Sequence, residues 1–250
     1  MRTPSATAAT ALALLLLAAP AVRGEDIAAV AARAQSAFFA GNAAELGKLV
    51  ASTSGWARSA DPKELYAHAY VQFRALQLAI AGKRDKDAKS AGDACTGTLD
   101  AAVAKDPKFG DGYALQSACY GYLANLGGFA AISNGRKSGK SMEAALASGV
   151  RSARIALVDA FGLYFRPKIA GGDKAQGCVK FREAAAAFDA AAKAPPAPPA
   201  VIDWGAAESH YWAGRCAVDA GDGALAKREF ERAVALAPDF VAARKRIAPN

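Results

Sequence analysis

Residues 134–141, NGRKSGKS, are the stretch that most resembles a chemical motif. A phosphate-binding loop of the form G-x-x-x-x-G-K-[ST] needs four residues between its glycines, so that successive backbone N–H groups wrap the phosphates. Here Gly135 and Gly139 enclose three residues, and Asn134 stands where the first glycine belongs. Such a loop also leaves a buried strand and is completed by an aspartate after a later apolar strand. The preceding NLGGFAAISN is broken by glycine, and no later run reads as a strand ending in Asp. The segment reads instead as a basic connector rich in Gly and Ser, entering a helix at Ser141 or slightly earlier.

Other reactive groups are sparse. The two histidines, His68 and His210, stand in no H-x-x-x-H or H-E-x-x-H setting, and G-x-S-x-G is absent. Asp85, Asp87, Asp93 and Asp173 sit beside lysines or at turns, where helix capping and solvated ion pairs account for them. The four cysteines, Cys95, Cys119, Cys178 and Cys216, lack the C-x-x-C spacing of a metal site. No catalytic residue, metal site or cofactor is expected. An even cysteine count in an exported chain points to two disulfides, with three connectivities open.

Export is read from the first 24 residues. Arg2 precedes the apolar run ALALLLLAA (11–19), followed by small residues in APAVRG. This is a secretory leader with a core too short to cross a bilayer, cleaved after Ala21 or Gly24. No later run is long and apolar enough to span, so no integral membrane segment is expected after cleavage. The formal charge is +8, of which Arg2 and Arg23 supply two, leaving +6 on the exported part. Its lysines and arginines are scattered along helices without an aromatic stripe, which argues against nucleic acid. Hydrophobic residues make up 53% of the chain, much of it alanine, with few β-branched residues and no alternating run. That composition predicts an all-α fold.

A repeat organises the helices. Residues 207–240, AESHYWAGRCAVDAGDGALAKREFERAVALAPDF, resemble a tetratricopeptide repeat, a 34-residue helix–turn–helix unit. Counted from Ala207, small residues fall at places 8, 20 and 27 (Gly214, Ala226, Ala233). Gly221 falls at the turn, Phe230 at place 24 and Pro238 at place 32. His210 and Ala217 depart from the usual Trp and Tyr. The small residues allow close helix approach, and Pro238 stops the second helix. Carried backwards, the register places Cys95, Leu99, Ala102 and Pro107 in one second helix. It places Tyr113, Ser117 and Tyr120, then Ser138, Met142 and Ala145, in the next unit, with NGRKSGKS near its turn. The string GGDK…G…F…A…F followed by WG…E…W.G is similar to exported bacterial tetratricopeptide proteins, over roughly residues 110–245.

The resemblance implies an α-solenoid of about five helical hairpins. The units lie near 26–55, 63–109, 110–152 and 153–193, all within 25–193. A Pro-rich spacer at 194–206, the repeat at 207–240 and a capping helix at 241–250 complete the chain. In this frame Cys119 and Cys216 sit at place 10 of a first helix, and Cys95 and Cys178 near place 20 of the preceding second helix. The expected pairs are Cys95–Cys119 and Cys178–Cys216. By resemblance, places 2, 5, 9, 12 and 13 of the first helices face a concave groove. These select Tyr122 in the third unit and Arg154, Leu157, Phe161, Tyr164 and Phe165 in the fourth. In the fifth they select Glu208, Tyr211, Arg215 and Asp219. The Lys/Asn clamp that some of these proteins use for a C-terminal carboxylate is absent. Its places hold Ala114 and Ala118, Leu157 and Phe161, and Tyr211 and Arg215. The reading is a non-catalytic periplasmic scaffold, secreted across the inner membrane, that holds a protein or peptide through Tyr122, Arg154, Phe161, Tyr164, Tyr211 and Arg215. The alternative is a small-molecule or lipid-binding accessory protein of an envelope uptake system, with Phe161, Tyr164 and Phe165 as its pocket.

Overall fold

The structure, a computed structural model, describes residues 26–194 and 202–247. The leader and most of the proline stretch lie outside them. Eleven α-helices and no strand occur among the described residues. They form five hairpins: α1 (Ile27–Ala40) with α2 (Ala43–Ser52), α3 (Pro62–Ala81) with α4 (Asp85–Lys105), α5 (Gly110–Asn125) with α6 (Ala131–Ala147), α7 (Ala153–Phe165) with α8 (Lys174–Lys193), and α9 (Ala206–Asp219) with α10 (Gly223–Leu236). A short α11 (Val241–Ile247) covers the last hairpin.

Local chemistry sets the helix ends. At the first and last hairpin turns the pattern is the same: a left-handed glycine followed by a capping Asn or Asp. Gly41 has φ 72° and Asn42 accepts from the Glu45 N–H; Gly221 has φ 76° and Asp222 accepts from the Leu225 N–H. Asp61, Ser152 and Asp173 cap α3, α7 and α8 in the same way. Within hairpins the small residues permit contact. A Cβ on Gly177 of α8 would lie 2.8 Å from the backbone N of Tyr164 on α7.

The third hairpin corrects one expectation. NGRKSGKS is not a connector that enters a helix at Ser141; all of it lies inside α6, which begins at Ala131. The turn is made earlier by Gly127 and Gly128, at φ 78° and 71°. Gly135 and Gly139 are tolerated in the helix because tertiary contacts fix it. Ser138 Oγ donates to the Ser117 carbonyl and Ser117 Oγ to the Ser138 carbonyl, both at 2.9 Å, while Met142 and Ala145 are buried.

Successive hairpins are stapled by disulfides, Cys95–Cys119 between α4 and α5 and Cys178–Cys216 between α8 and α9. The array also curls onto itself. Phe39 on α1 stacks on Phe240 at 4.0 Å, before α11. The end of the expected spacer is core rather than spacer: Ile202 and Trp204 are buried, and the Trp204 indole donates to the Tyr66 hydroxyl on α3 at 2.9 Å. His68 is buried in α3, with Nδ1 2.8 Å from Thr53 Oγ1 and Nε2 3.3 Å from the Gln72 side-chain amide. Burial holds its pKa below the usual histidine range, so it is a neutral packing group.

Each disulfide closes a loop of 24 or 38 residues, worth about 3–4 kcal/mol in the chain-entropy account. Reduction is therefore expected to lower unfolding free energy by several kcal/mol, measured by denaturant titration with and without reductant. Alkylation without reductant should leave all four cysteines unmodified by intact mass; four modified cysteines would contradict the pairing.

Candidate partner-binding surface

The first helices of the hairpins converge on a buried polar centre. Arg74 of α3 is 1% exposed and pairs with Glu208 of α9, 134 residues along the chain. Its Nε donates to the Tyr70 hydroxyl at 2.9 Å and Nη1 to Gln77 at 2.9 Å. The guanidinium lies 4.7–5.9 Å from the ring centres of Phe38, Tyr70, Trp204, Phe73 and Phe39. Burial alone would depress its pKa; the facing Glu208 and the Tyr70 hydroxyl outweigh that and hold it above the ordinary arginine value. The Tyr70 hydroxyl donates in turn to Gln35 on α1, at 3.0 Å.

Four residues expected in an open groove are instead occupied within the fold, Tyr122 and Glu208 at this centre and Arg154 and Leu157 beside it. The Tyr122 hydroxyl accepts from Gln77 at 3.0 Å, and its ring meets Phe73 edge-on at 5.8 Å. Arg154, 12% exposed, donates from Nε to Asp111 at 3.0 Å and lies 3.8 Å from Asp203. Glu208 is consumed by Arg74, and Leu157 is fully buried. These side chains hold the chain's own helices together.

The others gather on a second feature, an aromatic ledge where α7, α8 and α9 meet. Trp212 of α9 is its hub: Phe165 lies edge-on at 5.0 Å, Phe161 edge-on at 5.7 Å, and buried Phe181 of α8 stacks at 5.7 Å. Tyr164 packs on Phe165 at 4.8 Å. Tyr211 joins the ledge to the C-terminal packing through Phe240 at 5.0 Å. Arg215 lies over Trp212 at 5.5 Å. At the rim, Lys174 sits 5.0 Å over the Tyr164 ring and 3.2 Å from Asp219. The hydrogen bond from Lys174 holds the Asp219 carboxyl below its usual range. Phe165 is 48% exposed, so the ledge grades from core to solvent.

No family model and no curated protein sequence matches the chain. A solved structure, a thermophilic TPR protein of Thermus thermophilus, is similar over 90% of this chain and 96% of that one. The TM-score is 0.54 and the sequence identity 13%. The fold is tetratricopeptide-like.

The sequence reading passed over Arg74 and gave Trp204 and Trp212 no role beyond the WG…E…W.G string, although this tetratricopeptide-like array depends on all three. A lone arginine inside the apolar run AYVQFRALQLAIA was the available signal for the first, because such a charge must be paired if the helix is buried. Nothing local points to Glu208 as its partner. Two clefts, of about 310 and 360 Å³, open elsewhere, one among α2, α3 and α4 and one between α1 and α2; neither is lined by an expected site residue.

The grading of the ledge is testable by denaturant unfolding. Phe181→Ala should lose about 3–5 kcal/mol, as for a buried phenylalanine, whereas Phe165→Ala should lose about 1 kcal/mol or less. Equal losses would make the ledge plain core.

Proposed function

We propose that the protein is an exported, non-catalytic scaffold that binds a protein or peptide at the aromatic ledge of α7 and α9. The observation that carries this reading is half-exposed Phe165 packed against Trp212, with the Arg215 guanidinium over the same indole. Rigid aromatic area beside a cation is the composition of binding hot spots, and the partner chemistry it fits is an apolar side chain next to a carboxylate. Tyr164, Phe161 and Tyr211 support the ledge from behind. Tyr122 and Arg154 contribute indirectly, by fixing how the first helices sit.

Export is supported by the leader pattern and by two disulfides, which persist in oxidising compartments. Among the described residues no helix is long and apolar enough to cross a membrane.

The experiment is affinity capture from the native envelope with the exported form and with a Phe165→Ala/Arg215→Ala variant. Both substitutions are outside the buried centre, so the variant should keep its cooperative unfolding. The expected result is one protein retained by the parent and weakened at least about tenfold in direct titration with the variant, the size of one or two lost hot spots. Equal capture by both forms would remove the ledge from the reading. A small molecule retained in native mass spectrometry, with no protein partner, would replace the scaffold by the ligand-carrier alternative.

A further inference from the structure

The hairpin turns fall on one edge of the array, as its contacts require. Asp111 and Arg154 pair near the starts of α5 and α7, and Tyr164 reaches Asp219 at the ends of α7 and α9. The three first helices therefore run side by side in one direction, and the turns that follow them lie on the same side. Two of these turns carry a large apolar residue with no packing role. Phe129, in the α5–α6 turn, and Ile169, in the short 3-10 turn Lys168–Ala170 before α8, are fully exposed, at 109% and 100%. Both are presented by glycine turns, Gly127–Gly128 and Gly171, all at positive φ.

The charge around these tips is mostly positive, with Asp173 and the Lys174-paired Asp219 as the acids beside it. Residues 125–140 contain three Lys or Arg and no acid, and residues 165–174 contain three with a single acid, Asp173, which caps α8. Arg136, Lys140, Arg166 and Lys168 have no carboxylate within ion-pair distance among the described residues, so their charge is available to a partner. Neighbouring packed helices lie roughly 10 Å apart, which keeps the two tips separate rather than merging them into one patch.

We propose that this edge docks on an anionic lipid surface, with Phe129 and Ile169 entering the boundary between headgroups and acyl chains and the surrounding cations meeting lipid phosphates. A lipid surface is flat, deformable and negative. It accepts two isolated apolar tips without pockets cut to fit them, and it complements the unpaired cations Arg136, Arg166 and Lys168. The edge adjoins the ledge at Phe165 and Lys174, but the residues varied below lie outside the Phe165–Trp212–Arg215 contacts, so the two readings fail separately.

The test is flotation of the purified chain with vesicles of phosphatidylglycerol mixed with phosphatidylcholine, against phosphatidylcholine alone. The expected result is binding to the anionic vesicles only, weakening as salt is raised. It should fall by about tenfold or more in Phe129→Ser/Ile169→Ser and also in Arg136→Gln/Lys168→Gln. Because these residues are exposed, thermal unfolding of both variants should match the parent. A Phe129→Trp variant should shift its emission to the blue on anionic vesicles, reporting entry of the turn itself. Absence of binding at low salt would overturn the proposal, as would binding that the serine variant leaves intact, or equal binding to neutral vesicles. Loss of a soluble protein partner in the serine variant, with no vesicle binding, would assign the edge to protein instead.

Discussion

A guanidinium and a carboxylate share the middle of this molecule, shut off from bulk water. Taking two charges out of water costs several kcal/mol each, and only close pairing with further hydrogen bonds offsets it. Arg74 obtains those bonds from Tyr70, Gln77 and Glu208, and five aromatic faces surround it. This chemistry is satisfied only when α3 and α9 are adjacent. The second and fifth hairpins are thereby fixed against each other, and two further long-range contacts involve rings that surround Arg74. Trp204 reaches Tyr66, and Phe39 stacks on Phe240.

The closure decides where function can reside. In an open solenoid the first helices offer their polar and aromatic side chains to a partner. Here Tyr122, Arg154 and Glu208 are spent on intramolecular bonds, and these three groove places become part of the seam of the fold. The two proposed contact surfaces, the ledge around Trp212 and the turn edge with its apolar tips, lie at the periphery. The two disulfides act at a different level. They join sequential hairpins and so reinforce the local stacking, while the Arg74 centre joins hairpins far apart in sequence.

Much of this was legible from sequence where the signal was local. Gly221–Asp222 and Pro238 mark the last hairpin because turn and stop chemistry is written in adjacent residues, and ARIALVDAFGLYF spans α7 from end to end. The cysteine pairing followed from the repeat frame, since the frame already says which helices are neighbours. Two readings went wrong through tertiary override. Gly135 and Gly139 signal a break, but the Ser117–Ser138 bonds and buried Met142 hold α6 through them. The residues after the prolines look like spacer, yet Trp204 is drawn into the core by a hydroxyl 138 residues away. The Arg74–Glu208 pair was illegible for the same reason: neither residue carries information about the other. The ledge was largely legible, with Phe161, Tyr164, Phe165, Tyr211 and Arg215 named, while Trp212 was quoted in the repeat string without being recognised as their hub.

The claim that this ion pair closes the array is tested most directly by a double-mutant cycle on unfolding free energy, with Arg74→Met, Glu208→Met and the pair together. Either single change strands a buried charge and should lose about 3–5 kcal/mol, whereas the double change should recover a large part of that loss. Small single effects that simply add would contradict the account, and would mean that the aromatic contacts alone hold the ends of the array together.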